Sequence, residues 1–377
     1  MTAEILKPHR APAIQPGSRD SRLDALRGLF LIVMTIDHLP SILAKFTYEF
    51  AGYVSAAEGF VFLSGFVAGL TYTRIGFQHG ERMMWSRALK RARTIYLYHI
   101  ATFLILYFTL RAYVWDEDYW QSWLRLFHVS TWQGVLMGAT FLYQPKFLDI
   151  LPMYCLFVLV TPLMVQRFRK DRMAIVLGVS FTLWILAQFG VGDKLISVTH
   201  PRFPLFSGEF DCLAWQGLFV AGVCLGFRRY TRENEVRRVP RVLVYYAFLV
   251  AIILFLVRHH VVVENDPFGP IERMAEKRSL GVIRVINFAV FAFLISAGLK
   301  SLRTSFFVRG LAYLGRHSLQ VFTFQILLCS YIQIFLGQSR QIGELVEVLT
   351  VAICVSSLYG VAWCCESRKR LVIEVCL

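Results

Sequence analysis

Residues 22–38 read RLDALRGLFLIVMTIDH, an apolar run with ionisable groups at both ends. Asp24 and Arg27 stand where it begins, and Asp37 and His38 stand near its far end. On a helix, Arg27 and His38 are about three turns apart. They share one face at roughly 16 Å of axial separation. Between them Leu29, Phe30, Leu31, Ile32, Val33 and Met34 offer nothing polar. A cation and an imidazole inside a membrane helix are costly and point to function by default. Whether the run lies in a membrane therefore decides both fold and chemistry.

The rest of the chain places it there. Of 377 residues, 56% are hydrophobic and 17% charged, and the mean hydropathy is +0.53. A soluble domain of this size does not need so much apolar surface. A bilayer crossing takes about 20 apolar residues. The expected spans are 24–43, 53–73, 94–114, 148–166, 173–190, 212–227, 241–258, 281–299, 318–336 and 343–363. The fold class is all-α, a polytopic transmembrane bundle of about ten spans. Residues 1–21 read as a disordered cytoplasmic tail and not a cleavable signal peptide. Residues 22–366 form the transmembrane domain, and 367–377 form a cytoplasmic C-terminal tail.

Charge supports this count. With ten spans, Lys and Arg number 27 on the side of both termini and 12 on the other, with Arg27 inside the first span. That asymmetry puts both termini in the cytoplasm. The net charge of +15 therefore reports orientation in a lipid bilayer. No basic helix or zinc-finger pattern suggests nucleic acid. None of the eight cysteines forms a CxxC, and most lie in apolar spans, so no metal or disulfide role is assigned.

Orientation then gives depth. Arg27 lies near the cytoplasmic face, and His38 near the outer face. Glu58, the one acid of the second span, falls at a depth similar to His38. A neutral imidazole there can take a proton from a hydroxyl, with Asp37 or Glu58 to orient it. Adjacent helical residues point about 100° apart, so Asp37 is poorly placed to bond the ring directly. The cluster Arg82, Arg87, Lys90, Arg91 and Arg93 precedes the third span at the cytoplasmic face. It can anchor the chain to phospholipid or hold a phosphorylated cofactor. His99, further in, joins that site or bonds a neighbouring helix.

Other features read as structural. Gly59, Gly65 and Gly69 allow close helix packing, and Ser64 lacks a local base. His259 and His260, with Glu264 and Asp266, lack helical metal-ligand spacing. Arg316, His317 and Ser318 read as anchoring and capping groups. The outer connection 115–147 holds Trp115, Tyr119, Trp120, Trp123, Trp132 and Tyr143. It is an interfacial aromatic belt, a stacking platform for a sugar, or both.

RLDALRG, with Arg27 and His38 spaced as R-x10-H, resembles the first span of the acyltransferase-3 superfamily. Glu58 followed by VFLSGF (61–66), the basic run into IYLYH (95–99), and LGRHSLQVF fit the same pattern. DALRGLFLIVMTIDHLP, AAEGFVFLSGFVAGL, DILPMY (149–154) and AWQGLFVAGVCLG (214–226) are similar to the OpgC branch, linked to succinylation of osmoregulated periplasmic glucans. The resemblance runs from about Arg22 to the last span. It implies His38 as catalytic base or acyl relay and Arg27 as a contact to the acyl donor. It also implies that Arg87, Lys90, Arg91 and Arg93 hold the phosphates of CoA. The register of that motif fits either Arg87–Lys90 or Lys90–Arg93. Gln325 is the nearest polar group to a late-span histidine of some relatives, and no role passes to it.

The expected activity is O-acyl transfer, succinyl from succinyl-CoA, onto a hydroxyl of a periplasmic glucan. The chain then sits in the bacterial inner membrane. No cofactor is tightly bound; acyl-CoA is the donor substrate. Two rivals stand beside this reading. One is transfer of acetyl or another acyl group to lipopolysaccharide, exopolysaccharide or peptidoglycan. The other is a transporter or flippase using His38, Asp37 and Glu58 as a proton relay, against which no inverted repeat is found.

Overall fold

The computed structural model describes residues 20–113, 131–192, 194, 208–232, 240–262, 269–299, 305–337 and 343–375. Every regular element among them is helical. The α-helices are α1 (Ser21–Asp37), α2 (Ala56–Tyr113), α3 (Thr131–Ala139), α4 (Ile150–Arg169), α5 (Met173–Gln188) and α6 (Cys212–Thr231). They continue as α7 (Arg241–Arg258), α8 (Pro270–Met274), α9 (Val282–Leu299), α10 (Phe306–Arg316), α11 (Ser318–Gly337) and α12 (Glu344–Val375). A short 3₁₀ turn, Ile42–Phe46, follows α1.

Each expected span coincides with a helix or with one arm of α2. The second and third spans are two arms of α2, broken at Gly80, where φ is 80° and ψ 173°. Only glycine adopts that conformation without strain. Across the break, a Cβ built on Gly76 would lie 3.2 Å from Met84 Sδ. Eight residues of straight helix span about 12 Å, so the chain bends sharply there. Four stretches are long and apolar enough to cross a bilayer: Ala56–Leu110, Ile150–Arg169, Arg241–Arg258 and Glu344–Arg368. Met173–Gln188 and Val282–Gly298 are shorter apolar helices. The helix of α12 runs on to Val375, through most of the expected C-terminal tail.

Burial shows which faces meet lipid. On α7, Val242, Tyr245, Tyr246, Phe248 and Ile252 are all more than half exposed. In water such a helix would be untenable; in hydrocarbon it is the expected outer face. The core lies among α1, α2, α4, α6 and α11.

Glycine lets these helices approach. Gly65 and Gly69 of α2 face the carbonyls of Phe219 and Val223, while Gly222 and Gly226 of α6 face those of Phe62 and Phe66. A Cβ at any of the four would collide with backbone. The expected packing role of Gly65 and Gly69 is therefore seen, with α6 as the partner. A second close pair was not expected. Gly28 of α1 sits on the Leu311 carbonyl, and Gly315 of α10 sits on that of Asp24. Helix α10 falls in a segment expected to be a connection, yet it buries Val308, Leu311 and Ala312 against α1 and Leu314 in the main core.

Candidate functional site

Helix α1 carries the two ends of the site. Asp20 caps it, its carboxylate accepting from Arg22 N at 3.0 Å, which satisfies an orphan N–H of the first turn. The helix stops at Asp37. Pro40 follows, and the residue before a proline disfavours helical backbone. His38 is thus the C-cap. Gln333 of α11 secures this end, its Nε2 donating to the His38 carbonyl at 2.6 Å.

Arg27 lines a cavity of about 620 Å³ near the start of α1. His79 from the first arm of α2 and Arg87 and Arg91 from the second join it, with Arg316 from the end of α10. Met83, Arg87 and Arg91 line this cavity together because four-residue spacing puts them on one helix face, and His79 reaches it from the other side of the Gly80 break. Arg27 is buried, and its Nη1 lies 3.8 Å from Asp24 Oδ1. No Asp or Glu occurs among the described lining residues. This is a basic cavity suited to a polyanion.

His38 lines a second cavity of about 380 Å³ near the end of α1. Its ring packs on Phe147 with centroids 4.1 Å apart and planes 32° apart. Its Nδ1 is buried with no hydrogen-bond partner among the described residues. Asp37 also lines the cavity, its carboxylate accepting from Thr47 Oγ1 at 2.5 Å. Lys146, Asp149, Glu209, Lys277 and Arg278 complete the charged lining, and Tyr48, Phe147 and Phe210 supply aromatic faces. Asp149 is buried and accepts from Glu209 N at 2.8 Å. Burial holds the Lys146 ammonium below the usual lysine range, with Glu209 opposing.

The two cavities share four walls. Helices α1, α2, α4 and α11 contribute to both. Ile150 faces the histidine cavity and Tyr154, four residues on, the basic one. Leu319 faces the basic cavity and Phe322, three residues on, the histidine one. On a helix these steps are about 6 and 4.5 Å. The partition is thin, and Phe322 stacks there on Phe60 with centroids 5.6 Å apart.

A separate polar network braces the histidine cavity. Arg284 of α9 donates through Nη1 to Glu58 at 2.8 Å, through Nη2 to Glu49 at 2.6 Å, and through Nε to the Ala275 carbonyl at 3.0 Å. Glu58 also accepts from Ser55 N at 3.0 Å and from Ser55 Oγ at 2.5 Å. Ser55-x-x-Glu58 is a capping box: the acid of the first turn reaches back to the residue before the helix. Arg258 adds a contact to Glu49 at 3.1 Å. Burial works to raise the Glu49 carboxyl, but the charge of Arg284 and its hydrogen bond outweigh it and hold the group below the ordinary carboxylate range.

A family description, "OpgC protein", matches residues 19–370. The chain belongs to the OpgC family. No curated protein and no solved structure matches it. Together with the apolar helices, membership makes this an integral membrane protein with a role in modifying osmoregulated periplasmic glucans.

Within this OpgC-family chain the expected site residues part company. Arg27, Arg87 and Arg91 meet in the basic cavity; His38 and Asp37 meet in the other. Lys90 and Arg93 are exposed and line neither. Two residues past Arg91, Arg93 points to nearly the opposite helix face. Of the two registers for the basic motif, neither pair is brought together; Arg87 and Arg91 are. Glu58 lines neither cavity, and among the described residues no carboxylate bonds the His38 ring. His99 meets the Gly138 carbonyl at 3.3 Å, outside the basic cavity. Trp132 is 73% exposed and Tyr143 is buried in the core; Trp115, Tyr119, Trp120 and Trp123 lie outside the described residues.

Sequence reasoning did not single out His79, Asp149, Glu209, Lys277, Arg278 or Gln333 as site residues. It took Arg316 as an anchor. His79 stands beyond the Gly80 break, so its four-residue spacing ahead of Met83 is no helical signal.

Proposed function

We propose that this OpgC-family protein is an acyltransferase of the acyltransferase-3 kind, moving succinyl from cytoplasmic succinyl-CoA to a hydroxyl of a periplasmic glucan. It lies in the bacterial inner membrane with both termini in the cytoplasm. The observation that carries this reading is the pair of cavities on shared helices, with Arg27 at one end of α1 and His38 at the other. Arg27, Arg87, Arg91 and Arg316 match the phosphates of CoA, because guanidinium forks bond such oxygens bidentately. The thin pantetheine arm carries the thioester through the partition towards His38.

His38 accepts the proton of the glucan hydroxyl. The oxygen attacks the thioester carbonyl carbon, and an O–C bond forms as the C–S bond breaks. The proton passes from the imidazole to the departing CoA sulfur. The tilted ring contact with Phe147 and the Gln333 bond to its carbonyl orient His38. Asp37 lines the same cavity and is the carboxylate better placed to stabilise the imidazolium; Glu58 is occupied by Arg284 and Ser55. Purified protein in lipid vesicles, given acyl-CoA and periplasmic glucan, is expected to yield acylated glucan detectable by mass spectrometry. Absence of transfer with every acyl-CoA tried would remove this reading.

A further inference from the structure

The three cations of the histidine cavity are not equivalent. Lys146 lies 5.5 Å from the Phe147 centroid with Glu209 as a charged neighbour, and both it and Arg278 take part in further interactions within the protein. Lys277 differs. Its ammonium lies 4.8 Å from the centroid of the Tyr48 ring and 5.9 Å from that of Phe210. Asp37 and Glu49 are its acidic neighbours, yet among the described residues no carboxylate is in ion-pair contact with it. Aromatic faces hold a cation in place without cancelling its charge. Arg258 and Arg284, the other cations nearby, are already bound to Glu49 and Glu58.

The segment bearing Lys277 is held at several points. Trp215 Nε1 donates to the Lys277 carbonyl at 3.1 Å, Gln188 Nε2 to that of Ser279 at 2.6 Å, and Trp184 Nε1 to that of Leu280 at 2.9 Å. Arg284 holds the Ala275 carbonyl. Four side chains from three helices thus fix the backbone around one lysine. A positioned cation beside the reacting centre is what a site needs to recognise a charge on its substrate.

We infer that Lys277 determines donor specificity by holding the free carboxylate of the transferred acyl group. This rests on the acyl-transfer reading above. In a short dicarboxylic thioester the free carboxylate is only a few bonds from the reacting carbonyl, so it occupies the cavity that holds His38. A neutral glucan brings hydroxyls and no charge to meet the ammonium. The carboxylate is unchanged by the reaction, in which the O–C bond forms and the C–S bond breaks as described.

The test uses the full chain in lipid nanodiscs with periplasmic glucan and equimolar succinyl-CoA and butyryl-CoA, whose acyl chains have equal carbon number. Both products form in one mixture, so their ratio does not depend on the folded fraction. The unsubstituted protein is expected to favour succinyl transfer. Lys277→Met should lower that preference about 10- to 100-fold, the effect of losing one charge-assisted hydrogen bond. Lys277→Arg should restore most of it. An unchanged ratio in Lys277→Met overturns the inference. So does an unsubstituted protein that transfers both groups equally, whatever the variants do. A protein that transfers neither overturns the acyl-transfer reading itself.

Discussion

The two cavities differ in the sign and pattern of their charge. The basic cavity gathers four arginines and His79 with no described acid in its lining. The histidine cavity sets Lys146, Lys277 and Arg278 against Asp37, Asp149 and Glu209, with the rings of Tyr48, Phe147, Phe210 and Phe322 in the same lining. A field of one sign attracts a polyanion and weakens with salt. A mixed lining with aromatic faces suits a neutral, hydroxyl-rich ligand. The same four helices build both, so the difference comes from height along the bundle and not from separate domains.

The largest expected effect tests that division directly. His38→Ala should lower glucan acylation about 10²- to 10⁴-fold, the usual contribution of a general base, while donor affinity measured by titration with CoA stays the same. A matching loss of CoA affinity would break the separation of the two sites.

Arg284→Met comes next. It leaves Glu49 and Glu58 buried without their cation and should cost about 3–5 kcal/mol of stability, read from thermal unfolding in detergent. Glu58→Gln sharpens the point. If Glu58 braces the fold, its loss of turnover should follow its loss of folded protein. A larger fall in turnover would return Glu58 to the chemistry.

On the basic side, Arg87→Ala and Arg91→Ala should each raise the KM for acyl-CoA about 10- to 100-fold, as loss of a charged hydrogen bond does, with kcat nearly constant. Lys90→Ala and Arg93→Ala should shift it only about 2-fold, as surface substitutions do. Equal effects at all four positions would mean that the cluster acts as a diffuse field and not through one helix face.

The smallest effect is a pH dependence. Glu49 has a folded pKa below its ordinary value of 4.5. Unfolded chains therefore bind its proton first, and stability falls as pH drops. The Glu49 contribution is present in full above about 4.5 and fades as pH passes down through the folded value. Glu49→Gln should flatten that acid limb in thermal scans.

Much of this was legible beforehand. Apolar length and charge asymmetry located helices at all ten expected places. They missed α10, because Val308, Leu311, Ala312 and Leu314 make an amphipathic stripe too short to cross a bilayer. Arg27, Arg87, Arg91, His38 and Asp37 could be picked out because charge in or beside apolar runs is rare. Glu58 met the same criterion, and its capping box with Ser55 was visible in the sequence as S-x-x-E. What could not be seen was Arg284, 226 positions away, reaching it.

For this protein the sequence alone determined that the chain is helical and lipid-embedded, and that Arg27 and His38 share a face. Those properties follow from local composition and from the fixed rise and turn of a helix. Only the tertiary structure decided which of five basic residues face one cavity, which acid Arg284 binds, and that Lys277 lines the same cavity as His38. Those depend on contacts between helices distant in the chain, set by glycines seated on facing carbonyls, such as Gly65 on Phe219 and Gly28 on Leu311. No local pattern encodes them.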